Sequence, residues 1–201
     1  MPIRRGSVNL ARFRMEGAVP KDKDVKRWLQ KGLGKAGFEP IDPKSDDERA
    51  AGFVELEQND STEFSAGALF HGLHALFAWR VDRLKVPTSA LRVGMLEWSQ
   101  AFEKKNARAP GRREKSEQKD ALKKTLRAKQ APVIKVFELS FDLTSRDVFV
   151  WATSRTVVEE AQAVLESTLE VKLIPRVPAA FLAAGALDAL TPTKELFPEA
   201  S

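Results

Sequence analysis

Cysteine and tyrosine are absent from this 201-residue chain, and histidine occurs only twice. The lack of cysteine excludes disulfides, iron–sulfur clusters, thiolate zinc sites and cysteine nucleophiles, and it fits a cytoplasmic protein. The longest apolar stretch, near residues 178–190, is shorter than the roughly 20 residues that span a bilayer. No secretory signal is predicted, because no apolar run follows the basic start of the chain. With 43% hydrophobic and 30% charged residues, the composition is typical of a globular protein without a membrane span.

Positive charge is concentrated between residues 101 and 130. This segment holds eleven basic and four acidic residues, a net charge of +7, whereas the whole chain carries +5. The rest of the chain therefore sums to −2. Such asymmetry indicates a polyanionic partner, because bound phosphates release condensed counterions. The alternative is a solvated helical surface, since Lys, Arg and Glu also favour helices.

The hydrophobic periodicity predicts an α+β fold with antiparallel or mixed sheets, packed helices and a protruding basic helical hairpin. Helices are predicted after Pro20 and Ser154, and a short Ala-rich helical turn after Val177. Strands are predicted at residues 7–13, 51–56, 73–86, 132–143, 148–153 and 171–177. We expect three parts: an N-terminal α+β part (1–86), the hairpin (87–130), and a C-terminal α+β part (131–201) that packs with the first.

The hairpin is predicted from an apolar stripe, a chain break and a polar second arm. Ala109, Pro110 and Gly111 interrupt the helical pattern, and the second arm is too polar to bury much, so it should project. The stripe on the first arm consists of Leu91, Met95, Trp98 and Phe102. The predicted DNA-binding residues are the basic residues of the hairpin: Lys104, Lys105, Arg108, Arg112, Arg113, Lys115, Lys119, Lys123, Lys124 and Arg127.

One face of the second arm carries cations at helical spacing. Lys119, Lys123 and Arg127 recur every four residues, and Lys115 precedes them by one turn. Such a row can follow a phosphate backbone, and no aromatic residue lies among these cations to stack on unpaired bases, which favours duplex DNA. Phosphate contacts carry no base information, so little sequence preference is expected. Glutamate at positions 119, 123 and 127 should weaken binding and leave the fold intact, whereas changes at Lys135 or Lys172 should matter less.

Other motifs give no positive indication of catalysis, a metal or a cofactor. The GxGxxG pattern at residues 32–37 lies at the end of a predicted helix, which favours a helix terminus over a nucleotide loop. His71 and His74, with Glu63 nearby in sequence, lack the further ligands of a usual metal site, and ordinary histidines are favoured. The acidic groups at residues 46–48 and 159–160 are interpreted as solvated surface. The sequence therefore predicts a protein that is not an enzyme.

Several stretches resemble the bacterial recombination-associated protein RdgC family. They begin with Ser7-Val8-Asn9-Leu10-Ala11-Arg12-Phe13-Arg14 and the helix into Lys35-Ala36-Gly37-Phe38-Glu39-Pro40. The strand that enters Pro87 follows, then the charged hairpin with Glu117-Gln118-Lys119-Asp120-Ala121-Leu122-Lys123-Lys124. The last is Phe149-Val150-Trp151-Ala152-Thr153-Ser154 with its helix to Leu169. The resemblance covers approximately residues 5–178 and follows a pattern of elements rather than an invariant motif.

This resemblance implies a non-enzymatic, nucleoid-associated protein of the cytoplasm that binds double-stranded DNA and modulates recombination or replication. Family members form ring-shaped homodimers that pass duplex DNA through a basic hole, bind without sequence preference and restrain RecA-promoted recombination. Typical members continue beyond the part matched here, and that C-terminal portion would help to close the ring. Two readings follow: a homodimer that clamps duplex DNA, or an interaction protein whose hairpin docks an acidic partner such as a recombinase. RNA binding is a third, weaker alternative.

Overall fold

The computed structural model describes residues 9–20, 23–42, 45 and 47–176. In chain order the helices are α1 (Lys23–Lys35), α2 (Ala66–Leu69), α3 (Thr88–Asn106), α4 (Arg112–Ala128) and α5 (Arg155–Leu169). The strands are β1 (Ala11–Gly17), β2 (Arg49–Glu55), β3 (Phe70–His71), β4 (His74–Arg83), β5 (Val133–Asp142), β6 (Asp147–Trp151) and β7 (Val171–Pro175). The predicted α+β class is confirmed.

The chain divides into two compact units, and three of the four boundaries between them fall within α1, β4 and β5. Unit 1 comprises residues 1–32, 65–76 and 138–201, and unit 2 comprises residues 33–64 and 77–137. In unit 1 the strand order is β5-β6-β1-β7, with antiparallel pairing throughout. In unit 2, β2 pairs antiparallel with β4, from Arg49 opposite Arg83 to Glu55 opposite Phe77.

Helix α5 forms in unit 1 because its apolar residues recur every four positions. The buried positions are Val157, Ala161, Leu165 and Leu169. Two side chains of α5 bond to β7: the Gln162 side-chain amide donates to the carbonyl oxygen of Leu173, and the Leu173 backbone amide donates to the Glu166 carboxylate. These bonds attach α5 to β7, so that its apolar face covers the sheet.

The core of unit 2 includes a cluster of aromatic side chains on β2 and β4. The Phe53 ring meets the Trp79 ring edge-on at 4.7 Å and the Phe77 ring at 5.7 Å. The Phe38 amide donates to the Phe53 carbonyl oxygen at 2.9 Å, which holds residues 36–38 against the outer edge of β2. Phe53, Phe77 and Trp79 are each at most 2% exposed. These ring contacts stabilise β4, the strand that directly precedes the helical hairpin in the chain.

The close approach of residues 37–38 to β2 requires glycine at position 52. A Cβ atom there would lie 2.4 Å from the Cα and 2.6 Å from the backbone nitrogen of Phe38. We expect Gly52→Ala to lower the free energy of unfolding by about 3 kcal/mol, because backbone has to move. Gly34→Ala is the matched control, since nothing lies within 4 Å of its added methyl group. Urea unfolding that shows equal stability for both variants would contradict this account.

Two predictions about chain segments need correction or fall outside the described residues. The first strand was predicted at residues 7–13, but β1 spans Ala11–Gly17, because Met15 is buried and pairs with Leu173. Residues 7 and 8 and the predicted helical turn after residue 177 lie outside the described part of the chain. Neither α2 nor β3 was predicted, because both elements are too short to show periodicity.

Candidate nucleic-acid interface

The hairpin of α3 and α4 forms within unit 2, as predicted. Its helices are in close contact where Gly94 faces Leu122, since a Cβ atom at position 94 would lie 2.7 Å from a Leu122 methyl group. The predicted stripe on α3 is half-buried, and the Trp98 and Phe102 rings lie 5.3 Å apart. No residue of α3 is fully buried, and Arg127 is the only buried residue of α4. The arms therefore leave most of their charged side chains in solvent.

A network around Glu114 fixes the turn between the helices. Helix α3 ends at Asn106, and the next residue, Ala107, adopts a left-handed conformation with φ of 53°. The Glu114 carboxylate accepts from the Gly111 amide at 2.7 Å and from both terminal nitrogens of Arg108, at 2.9 and 2.7 Å. The Arg108 guanidinium also lies over the Phe102 ring, 5.1 Å from its centre. The turn is thus held by the hydrogen bond from the Gly111 amide to Glu114 and by a bidentate ion pair.

Hydrogen bonds from Arg108 and Gly111 lower the pKa of Glu114 to about 2. Because the folded-state pKa lies below the ordinary value, the stabilisation is present above about pH 4.3 and is lost as the pH falls through the folded-state value. We expect NMR titration of Glu114 to give a midpoint near 2 in the native protein, rising towards the ordinary value in Arg108→Gln. A Glu114 midpoint that does not change in Arg108→Gln would contradict the assignment.

The C-terminal end of α4 is attached to the segment before β2. Arg127 is 8% exposed and its guanidinium donates to the Asp47 carbonyl oxygen. One turn earlier, Lys123 Nζ lies 2.5 Å from a carboxylate oxygen of Glu48, and this hydrogen bond and charge lower the pKa of Glu48. A depression of about 350 Å³ lies beside these residues, with Asp120 and Lys124 in its wall. Arg127 therefore has a structural role in addition to its charge.

This burial corrects one expectation from the sequence. Glutamate at positions 119, 123 and 127 was predicted to leave the fold intact, on the assumption that all three side chains are exposed. The assumption of exposure holds for Lys119 but is wrong for Arg127, which is buried. Glutamate at position 127 would place a carboxylate against the Asp47 carbonyl oxygen. The sequence interpretation of residues 46–48 as solvated surface also missed the partners that Asp47 and Glu48 provide.

The ten predicted DNA-binding cations fall into two groups. Three make ion pairs, Arg108 with Glu114, Arg113 with Glu117 and Lys123 with Glu48, while Arg127 bonds to a carbonyl and Lys124 lines the depression. The other five are exposed and make no ion pair with a residue that the structure describes. We call these five the tip cations, since they lie in the last turn of α3 and the first half of α4: Lys104, Lys105, Arg112, Lys115 and Lys119.

The other sequence motifs lie at a helix end and beside a strand turn. Gly32 and Gly34 lie in the last turns of α1 and Gly37 follows its end, as expected of a helix terminus rather than a nucleotide loop. His71 and His74 face each other across the β3–β4 turn, and both are exposed. Within residues 9–20, 23–42, 45 and 47–176, no three His, Asp or Glu side chains are grouped to hold a metal ion. None of the helices in these ranges is long and apolar enough to cross a membrane.

Comparison with known proteins agrees with the resemblance seen in the sequence. The family model described as "Putative exonuclease, RdgC" matches residues 8–185. A search of curated proteins returned no match. The matched region contains every element from β1 to β7, including the hairpin and its tip cations. Since the match extends over most of the 201 residues, the chain belongs to the RdgC family.

Proposed function

We propose that this protein binds double-stranded DNA without sequence preference, through the tip cations, and acts by binding rather than by cleaving DNA. Membership of the RdgC family supports a recombination-associated role. The observation that carries the proposal is the exposure of five cations without ion pairs to described residues at one end of the hairpin. Cations in this state neutralise phosphates without first breaking an internal ion pair, so counterion release favours binding.

The arrangement of the tip cations fits a phosphate backbone. Arg112, Lys115 and Lys119 recur at three and four residues and so lie on one face of α4. Two of the four acids between residues 101 and 130 are already engaged, Glu114 by Arg108 and Glu117 by Arg113. The local field at this end of the hairpin is therefore positive, which attracts a polyanion.

Duplex DNA fits this surface better than single strands. The two aromatic rings of the hairpin, Trp98 and Phe102, are half-buried, and Arg108 covers the second ring. Stacking on unpaired bases needs exposed rings, so phosphate contacts dominate here. Long Lys and Arg side chains on a helix face bind phosphates irrespective of the bases, which accounts for the proposed lack of sequence preference.

We propose that the DNA-binding form is a homodimer, as the family resemblance implies. Val93 and Leu96 support this, because they are 55% and 60% exposed on the side of α3 away from its half-buried stripe. Two hairpins on one particle would raise the affinity for a single duplex by avidity. Sedimentation equilibrium of the full chain should give twice the monomer mass. A monomer at concentrations where DNA is bound would contradict the dimer but leave the hairpin proposal standing.

The experiment that tests the function is a mobility-shift titration with unrelated duplexes, single-stranded DNA and RNA, with Mg²⁺ present and absent. We expect similar affinities for all duplexes, weaker binding of single strands, and DNA of unchanged length after incubation. Mg²⁺-dependent shortening of the DNA that disappears when one carboxylate is replaced would identify an enzyme instead. Failure to bind any duplex would favour the alternative, in which the hairpin docks an acidic protein.

A further inference from the structure

A groove of about 440 Å³ lies in unit 2, separate from the tip cations. Val81, near the end of β4, and Val133, at the start of β5, form its apolar floor with Leu84. Arg83, Lys85 and Lys135 form its basic rim. None of these residues was among the predicted site residues, because they come from two strands that are distant in sequence.

The floor of the groove exposes apolar surface that folding leaves uncovered. Val133 is 56% exposed, although it lines the same groove as Val81, which is 3% exposed. Leaving apolar surface in contact with water costs a free energy of about 25 cal/mol for each Å². A concave apolar floor with a polar rim is the usual form of a binding groove.

The rim of the groove is positively charged. Arg83, Lys85 and Lys135 are all exposed, and none makes an ion pair with another described residue. Glu48 is the one carboxylate that lines the groove, and its charge is already balanced by Lys123 at 2.5 Å. Arg49 completes the lining beside Glu48. An occupant of this groove is therefore expected to carry negative charge.

We propose that this groove binds an acidic peptide segment of a partner protein that carries a bulky apolar side chain. The apolar side chain lies on the floor against Val133 and Leu84, and the carboxylates of the peptide pair with the basic rim. Duplex DNA would use the rim, but its charged phosphate backbone gains nothing from an apolar floor. The tip cations differ in this respect, because no comparable floor lies among them in the described chain. The two surfaces thus suit different ligands.

The probe is a fluorescein-labelled hexapeptide of four aspartates followed by Leu and Phe, measured by fluorescence anisotropy with the full chain. Val133→Ser should weaken its binding at least about tenfold, the ratio that 1.4 kcal/mol produces. Ile134→Ser is the matched control: Ile134 is 52% exposed but points to the opposite side of β5, so binding should not change. Replacing both Leu and Phe of the peptide by Ser should have the same effect as Val133→Ser.

Charge is tested separately with Arg83→Gln and Lys135→Gln, against Lys172→Gln on β7 of unit 1 as the control. The first two should weaken peptide binding and make it less sensitive to salt, while the control should leave both the affinity and its salt dependence unchanged. Equal affinity of Val133→Ser and Ile134→Ser for the peptide would overturn the proposal. Displacement of the peptide by duplex DNA, with Val133→Ser losing DNA affinity to the same extent, would assign the groove to nucleic acid instead.

Discussion

Replacing Arg112, Lys115 and Lys119 together by glutamate is expected to weaken duplex binding about 100-fold. Each of these tip cations is exposed without an ion pair to a described residue, so each is available to one phosphate. A charge-assisted hydrogen bond contributes about 1 kcal/mol or more, and the introduced carboxylates add repulsion. The loss should be equal for unrelated duplexes, since phosphate contacts carry no sequence information. A mobility-shift titration at constant salt measures it.

The matched control is the replacement of Arg27, Lys31 and Lys35 on α1 together by glutamate. These residues are also exposed, recur every four positions on one helix, and give the same change in net charge. For both triple variants, the free energy of unfolding should differ from that of the native protein by less than about 0.5 kcal/mol per substitution, because exposed charges on helices contribute little to stability. Equal loss of affinity in both variants would show that net charge, rather than the hairpin, governs binding.

Arg127→Glu is expected to lower the free energy of unfolding by about 3 kcal/mol, because it leaves a buried carboxylate without a cationic partner. The Arg127 guanidinium donates to the Asp47 carbonyl oxygen and lies near Glu48, so the new carboxylate would meet two groups that repel it. The C-terminal end of α4 would then separate from the segment before β2. Urea unfolding monitored by circular dichroism gives the change directly.

Lys119→Glu is the control for Arg127→Glu, with the same charge reversal two turns earlier on α4. Lys119 is exposed, so its replacement should change stability by less than about 0.5 kcal/mol while weakening DNA binding. The two variants therefore have opposite profiles: one loses stability and the other loses affinity. If Arg127→Glu is as stable as Lys119→Glu, then Arg127 does not attach the hairpin to the segment before β2.

Local periodicity made much of this fold predictable. The stripes on α3 and α5 follow from apolar residues at helical spacing, and the break at Ala109-Pro110-Gly111 is where the chain turns. Short elements such as α2 and β3 were not predictable, because four or two residues cannot show a period. The start of β1 was placed too early, since its register depends on pairing with β7, which is distant in sequence.

The candidate site was predictable in its composition but not in its electrostatics. The sequence identifies ten cations in the hairpin, yet it does not show which of them already have partners. Arg127 and Asp47 are 80 residues apart, and Lys123 pairs with a glutamate next to Asp47. Only the folded chain separates the five tip cations from the paired ones. The groove at Val133 was missed for the same reason, since its floor and rim come from separate strands.

The salt dependence of duplex binding tests the central claim most directly. If each of the five tip cations neutralises one phosphate, log affinity should fall with log salt at a slope of about 4.5 for each hairpin that contacts DNA, because each phosphate contributes about 0.9. The triple replacement of Arg112, Lys115 and Lys119 should reduce this slope by about 2.7, and the triple replacement on α1 should leave it unchanged. A slope that is the same in all three proteins would contradict the assignment of duplex binding to the hairpin.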